Sequence, residues 1–126
     1  MKVLFLDDES WRHEALTLML NFSPRERSYD ITHVYNAEEF RQALRLGPFD
    51  MVCLDHDRDV VRAETGYHAA LDFVASAHQP TMCLVHSWNP EGATRISRVL
   101  RKAGHQVMVA PFGTSLKHLF DSLAAA

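Results

Sequence analysis

Residues 2–9 read KVLFLDDE and residues 51–57 read MVCLDHD. Each is a short apolar run that ends abruptly in acid. Four or five consecutive apolar residues without polar alternation describe a strand covered on both faces, the setting of a parallel sheet. Two further runs have the same character, residues 82–85 (MCLV), closed by His86, and residues 106–110 (QVMVA). Residues 30–35 (DITHVY) alternate and are β-branched, which predicts a more exposed strand.

Helical spacing fills each interval between these runs. Ser10 can cap a helix in which Trp11, Ala15, Leu18 and Phe22 face inward, up to Pro24. Asn36 caps a second helix that continues through Leu46 and stops at Gly47-Pro48. Tyr67, Ala70, Leu71 and Val74 give a third apolar face after Gly66. Asn89-Pro90 opens a fourth helix with Ala93, Ile96, Leu100 and Ala103 inward and Gly104 at its end. Leu116, Leu119, Phe120 and Leu123 describe a fifth. Strands alternating with helices give an α/β domain, (βα)5, spanning residues 1–126 as a three-layer sandwich. Right-handed crossovers favour the flavodoxin-like sheet order 2-1-3-4-5, with ligands beyond the carboxyl ends of the strands.

Composition narrows the function. The chain has 126 residues, 47% hydrophobic and 23% charged, enough for a core without disulfide or metal staples. A net charge of −3 argues against coating bulk double-stranded DNA, but permits a nucleotide or an RNA end. No apolar run is long enough to cross a membrane. The opening MKVLFLDDES lacks a signal-peptide pattern, and Cys53 and Cys83 sit inside apolar runs as reduced thiols would. A cytoplasmic location is therefore expected.

In this topology the ends of strands 1, 3 and 4 are neighbours. Asp7, Asp8, Glu9, Asp55, His56, Asp57 and His86 then converge at one edge. Crowded carboxylates repel and resist desolvation unless a cation, a proton or water relieves them. Oxygen ligands suit Mg²⁺, Mn²⁺ or Ca²⁺, and imidazole admits Mn²⁺, Fe²⁺ or Zn²⁺. Alternatively, Asp7, Asp8 and Glu9 only complement the dipole of the first helix.

The order of elements resembles the receiver domain of response regulators. By that resemblance Asp7 and Asp8 hold Mg²⁺, Asp55 accepts a phosphoryl group and Ser87 is the switch hydroxyl. A receiver carries Lys before the proline that follows strand 5, whereas here Ala110 precedes Pro111-Phe112. The sequence is more closely similar to the receiver-like family proposed to process cyclic phosphates, through LFLDD, Arg12-His13, LDHD and HSWNPEGA. The matching residues are Asp7, Asp8, Arg12, His13, Asp55, His56, Asp57, His86, Ser87, Asn89 and Gly92.

That resemblance implies metal-assisted hydrolysis of a cyclic phosphate or other phosphodiester on a nucleotide or RNA end. Such chemistry needs a metal, a cationic or hydrogen-bonding group for the phosphoryl oxygens, and an acid for the leaving alkoxide. Asp7, Asp8 and Asp55 are the metal ligands, with Mg²⁺ or Mn²⁺ favoured over Zn²⁺ or Fe²⁺. His86 is the main acid or base, with His56, Asp57 and His13 as further catalytic candidates. Arg12, Ser87 and Asn89 are placed to meet substrate, as are Arg58 and Arg62 on the long loop after strand 3. Plainer roles compete: Asn89 suits an N-cap, Ser87 a turn, His13 an exposed helix position and His86 a hydrogen-bonded core position. His56 points away from its neighbouring acids by strand alternation. The alternative function is a non-enzymatic receiver, phosphorylated on Asp55 or sequestering a cyclic nucleotide. Trp88 could stack on a base, and Arg95, Arg98 and Lys102 form a basic stripe that suits either RNA or solvent. His33 is expected outward or against a helix, and His68, His78, His105 and His118 toward solvent.

Overall fold

A computed structural model describes residues 1–21, 29–55, 65–77, 80–86, 89–110, 112–113 and 120. In chain order the elements are β1 (Lys2–Leu6), α1 (Ser10–Asn21), β2 (Asp30–Val34), α2 (Ala37–Ala43), β3 (Met51–Leu54), α3 (Thr65–Ser76), β4 (Met82–Val85), α4 (Pro90–Lys102) and β5 (Gln106–Val109). The strands form one sheet in the order β2-β1-β3-β4-β5, with every pairing parallel. This is the order expected from the βα alternation. Tyr35 and Ala110 lie one residue beyond their strands, and α2 tightens into a 3₁₀ turn over Leu44–Leu46.

Side-chain alternation divides the core between the two faces of the sheet. Leu4, Leu6, Val52, Leu54, Cys83 and Val85 pack with α2, α3 and α4. Val3, Phe5, Met51, Cys53 and Leu84 pack with Leu16 and Leu20 of α1, and with Phe112 and Phe120. Phe120 is buried here, and the rest of the expected fifth helix lies outside the described residues. The two cysteines therefore sit on opposite faces and do not approach as a disulfide pair. Burial pushes both thiols up, that of Cys83 to about 12, so neither is a ready nucleophile. Among the described residues no helix is long and apolar enough to cross a membrane.

The inward face of α1 differs from the expected one. Trp11 and Leu18 are 55% and 57% exposed, while His13, Leu16 and Leu20 are buried. A histidine occupies the core face because both of its ring nitrogens find partners there, which removes the desolvation cost that normally keeps it outside. Leu71 of α3 is also exposed, its place taken by Ala69 and Phe73. Ala103 lies just beyond α4 and is exposed. Gly104 follows it at φ 93°, a left-handed turn that a side chain would strain. His105 is buried rather than solvent-facing: its Nδ1 accepts the Thr81 N–H at 3.0 Å and its ring packs on Phe73.

Candidate functional site

The same alternation that builds the α1-side core also builds the site. Val3 and Phe5 point toward α1, and Asp7 continues that row one step past the end of β1. Asp55 continues Met51 and Cys53, and His86 continues Leu84. The register pairs Phe5 with Cys53 and Cys53 with Leu84, so the three continuations are neighbours. Backbone bonds carry the ladder past the strands: the Asp7 N–H donates to the Val34 carbonyl at 3.2 Å, and the His86 N–H to the Leu54 carbonyl at 3.0 Å. Ligand atoms of Asp7, Asp55 and His86 consequently lie within 4.8 Å of one another, and all three side chains are buried.

Burial alone would raise the Asp7 carboxyl, but hydrogen bonding outweighs it and holds the group below the usual carboxylate range. Its Oδ1 accepts the Glu9 N–H at 2.9 Å; its Oδ2 accepts from His86 Nε2 and from Arg12 Nη1, each at 3.1 Å. The same Arg12 Nη1 reaches Asp55 Oδ2 at 3.4 Å, so one guanidinium bridges both carboxylates. Desolvation and the Arg12 charge push His86 down despite its bond to Asp7. A neutral imidazole facing an ionised carboxylate must donate through Nε2, which leaves a lone pair on Nδ1. That Nδ1 and Arg12 Nε are buried without a hydrogen-bond partner among the described residues. Phe5 stacks under the His86 ring, centroids 4.7 Å apart and planes 10° off parallel.

Behind Asp7 lies a pair of imidazoles. His13 Nε2 donates to the Asp7 carbonyl at 2.7 Å, so in its neutral form His13 accepts through Nδ1 from His33 Nδ1, also at 2.7 Å. The Thr17 hydroxyl donates to the His13 carbonyl and lies 3.4 Å from His33 Nε2. Phe5 meets the His13 ring edge-on and Tyr35 covers it at 4.0 Å. Burial lowers both histidines, His13 being pushed down also by His86 and His33 by His13. His13 is thus directed at the backbone of Asp7, not at its carboxylate, and fixes where that residue sits.

Two carboxylate oxygens and an imidazole nitrogen at this separation are a sound donor set for a divalent cation. The Arg12 guanidinium that bridges the two carboxylates shows that they draw positive charge, and a dication held there would have to displace it. Asp8 is half-buried and does not belong to this close trio. Asn89 caps α4 through Oδ1, which accepts the Gly92 N–H at 3.3 Å. His56, Asp57, Arg58, Arg62, Ser87 and Trp88 lie outside the described residues, as do His78 and His118. Arg95, Arg98 and Lys102 are exposed along α4, and Arg95 stacks on Tyr67 at 4.5 Å. His68 is exposed as expected.

Several contributors escaped the sequence reading. His33 shares a face with its register partner Phe5, a signal available once β1 and β2 are paired. Phe5 reads as ordinary core within its strand, and Phe112 enters only as part of the Pro111-Phe112 that follows strand 5. Gly66 is required by a close approach: a Cβ there would overlap the Asp55 backbone carbonyl. Only Gly lets the start of α3 pass so near the residue that carries the Asp55 carboxylate.

Residues 2–102 match the family described as the cyclic-phosphate processing receiver domain. No curated protein matches the chain. Among solved structures, the response regulator TrrA of Thermotoga maritima, in complex with Mg²⁺-BeF, superposes with a TM-score of 0.67 at 23% identity, covering 97% of each chain. The receiver domain of a DNA-binding response regulator from Colwellia psychrerythraea gives 0.67 at 17% identity, covering 100% of this chain and 99% of that one. The response regulator domain of Thermotoga maritima CheB gives 0.63 at 19%, covering 99% and 90%. These likenesses establish a flavodoxin-like receiver fold.

Proposed function

Because the chain belongs to the cyclic-phosphate processing receiver domain family, we propose that it is a metal-dependent phosphoesterase that opens a cyclic phosphate, or cleaves another phosphodiester, on a nucleotide or RNA end. The observation that carries this reading is the buried Asp7–Asp55–His86 trio, whose two carboxylates Arg12 bridges. Asp7, Asp55 and His86 would hold the cation, Mg²⁺ or Mn²⁺ in the first instance, with Zn²⁺ and Fe²⁺ compatible with the imidazole. When bound, that ion supplies Lewis-acid stabilisation of the phosphoryl oxygens.

The protein's own groups divide the remaining work. Arg12, released from the carboxylates, can donate to two phosphoryl oxygens at once. His86 is neutral at rest, so it acts first as ligand or base and not as proton donor. Protonation of the leaving alkoxide then falls to His86 after it has taken a proton, or to His56 or Asp57, which follow Asp55 in the sequence. Ser87, Arg58 and Arg62 are assigned to substrate, and Asp8 to the outer edge of the metal site. Asn89, whose Oδ1 is engaged in the cap, contributes chiefly by orienting the start of α4.

The test is product analysis on 2′,3′-cyclic, 3′,5′-cyclic and cyclic oligonucleotide substrates, with Mg²⁺, Mn²⁺ or chelator. Ring opening of one class, dependent on metal and lowered at least about 100-fold by His86→Ala, is the expected result. No product from any class would remove the hydrolase reading.

A second reading is favoured by the receiver fold and by Asp55 at the end of β3. Asp55 would accept a phosphoryl group, or the site would sequester a cyclic nucleotide without turnover. Ala110, which stands where a receiver places Lys, weighs against phosphorylation because it offers no charge to the phosphoryl group. Stable labelling of Asp55 by a small phosphodonor would favour this reading.

A further inference from the structure

The Trp11 indole is 55% exposed at the start of α1, beside the site. It is also anchored. Phe112 meets it edge-on with centroids 5.6 Å apart and planes 87° off parallel, while Phe112 itself is buried. The Arg12 guanidinium carbon lies 5.3 Å from the indole centroid, and Arg12 Nη1 touches Asp7 and Asp55. An exposed aromatic face and a buried pair of carboxylates therefore flank the same side chain.

A nucleotide has a matching layout, with a flat base held one sugar away from an anionic phosphate. Bases stack on aromatic side chains whatever their hydrogen-bonding pattern. A phosphate drawn to Arg12 and the carboxylate site would bring its base within reach of the indole. The net charge of −3 fits a short ligand better than a long polyanion. We propose that Trp11 is the base-stacking platform of this site, and that the substrate is a nucleotide and not a base-free phosphodiester. This deepens the proposed function and rests on it.

Leu18 lies two turns further along α1 and is 57% exposed, so a protein partner covering both residues is the competing account. Calorimetry separates them. Adenosine 2′,3′-cyclic phosphate and base-free glycerol 1,2-cyclic phosphate are titrated into the whole chain with chelator and with Mn²⁺, and product is checked at the end of each titration. The wild type should bind the nucleotide about tenfold or more tighter than the base-free probe. Trp11→Ala should bring that ratio close to one, and Trp11→Phe should keep most of it. Equal affinities in the wild type would overturn the platform while leaving the hydrolase reading intact, and would hand the Trp11–Leu18 stripe to a macromolecular partner. Equal losses for both probes in Trp11→Ala would overturn it too, because Trp11 would then act only by holding Arg12. Failure of both probes to bind the wild type would overturn the platform, while the hydrolase reading would still be decided by product analysis on 3′,5′-cyclic and cyclic oligonucleotide substrates.

Discussion

Arg12 is the residue on which the electrostatics of the site turn. Two buried carboxylates side by side are tolerable because its guanidinium bridges them. A dication held there, as proposed, would compete with Arg12 for the same negative charge. Arg12→Gln should lower the thermal stability of chelator-treated protein, by about 3 kcal/mol if the carboxylates stay ionised. It should also tighten Mn²⁺ binding by about tenfold or more, because the resident competitor is gone. Differential scanning fluorimetry with and without Mn²⁺ reads both effects; unchanged metal affinity would mean that Arg12 and the cation do not share a place. At this scale the sequence was partly legible. Asp7, Asp55 and His86 stand out because each breaks an apolar strand at its carboxyl end. The burial of His13 was not legible, since it depends on a partner, His33, twenty residues away on another element.

Among the elements, the strands were legible and α1 was only half so. Strand periodicity is a property of the run itself, and the rows Val3-Phe5-Asp7 and Met51-Cys53-Asp55 follow from it directly. Helix α1 offers two apolar stripes, and only tertiary partners choose between them. Hydrophobicity favours the Trp11–Leu18 stripe, yet the sheet receives His13, Leu16 and Leu20, because the Asp7 carbonyl and His33 satisfy the histidine. Helix α3 poses a different constraint at its first turn. Gly66→Ala would drive a methyl group into the Asp55 backbone, with Ile96 closing the other side. The substitution should cost about 1–3 kcal/mol by overpacking, and should displace Asp55 so that metal affinity falls with stability. Chemical denaturation and metal titration of the same variant check this, and a variant as stable as the wild type would show that the helix start yields freely.

For the whole molecule, four histidines among the described residues, three buried and His33 half-buried, contribute to the acid sensitivity. His13, His33, His86 and His105 all have folded-state values pushed below 6.5, chiefly by burial. The unfolded chain then binds more protons than the folded one as pH falls below about 6.5, so stability drops with it. Asp7 adds a further loss as pH falls through about 3.8 and below, where the unfolded carboxyl is protonated ahead of the folded one. Metal-free protein should show a melting temperature that declines steadily from pH 7 to pH 5. His105→Gln, remote from the site, should flatten part of that slope; a melting temperature level across that range would contradict the burial of these rings. The topology as a whole follows from alternation and right-handed crossovers. The chemistry does not, because the same fold houses the response regulators it resembles, and only the residues at the strand ends tell them apart.

In the proposed function Asp7, Asp55 and His86 form one metal-dependent centre for cyclic-phosphate hydrolysis. Its most direct test is the Mn²⁺ dependence of ring opening on the preferred cyclic phosphate, measured for the wild type and for Asp7→Asn, Asp55→Asn and His86→Ala, each first shown to be folded. Chelator should abolish turnover, and each substitution should lower it about 100-fold or more together with metal affinity. Full turnover in chelator, or three folded variants as active as the wild type, would contradict it.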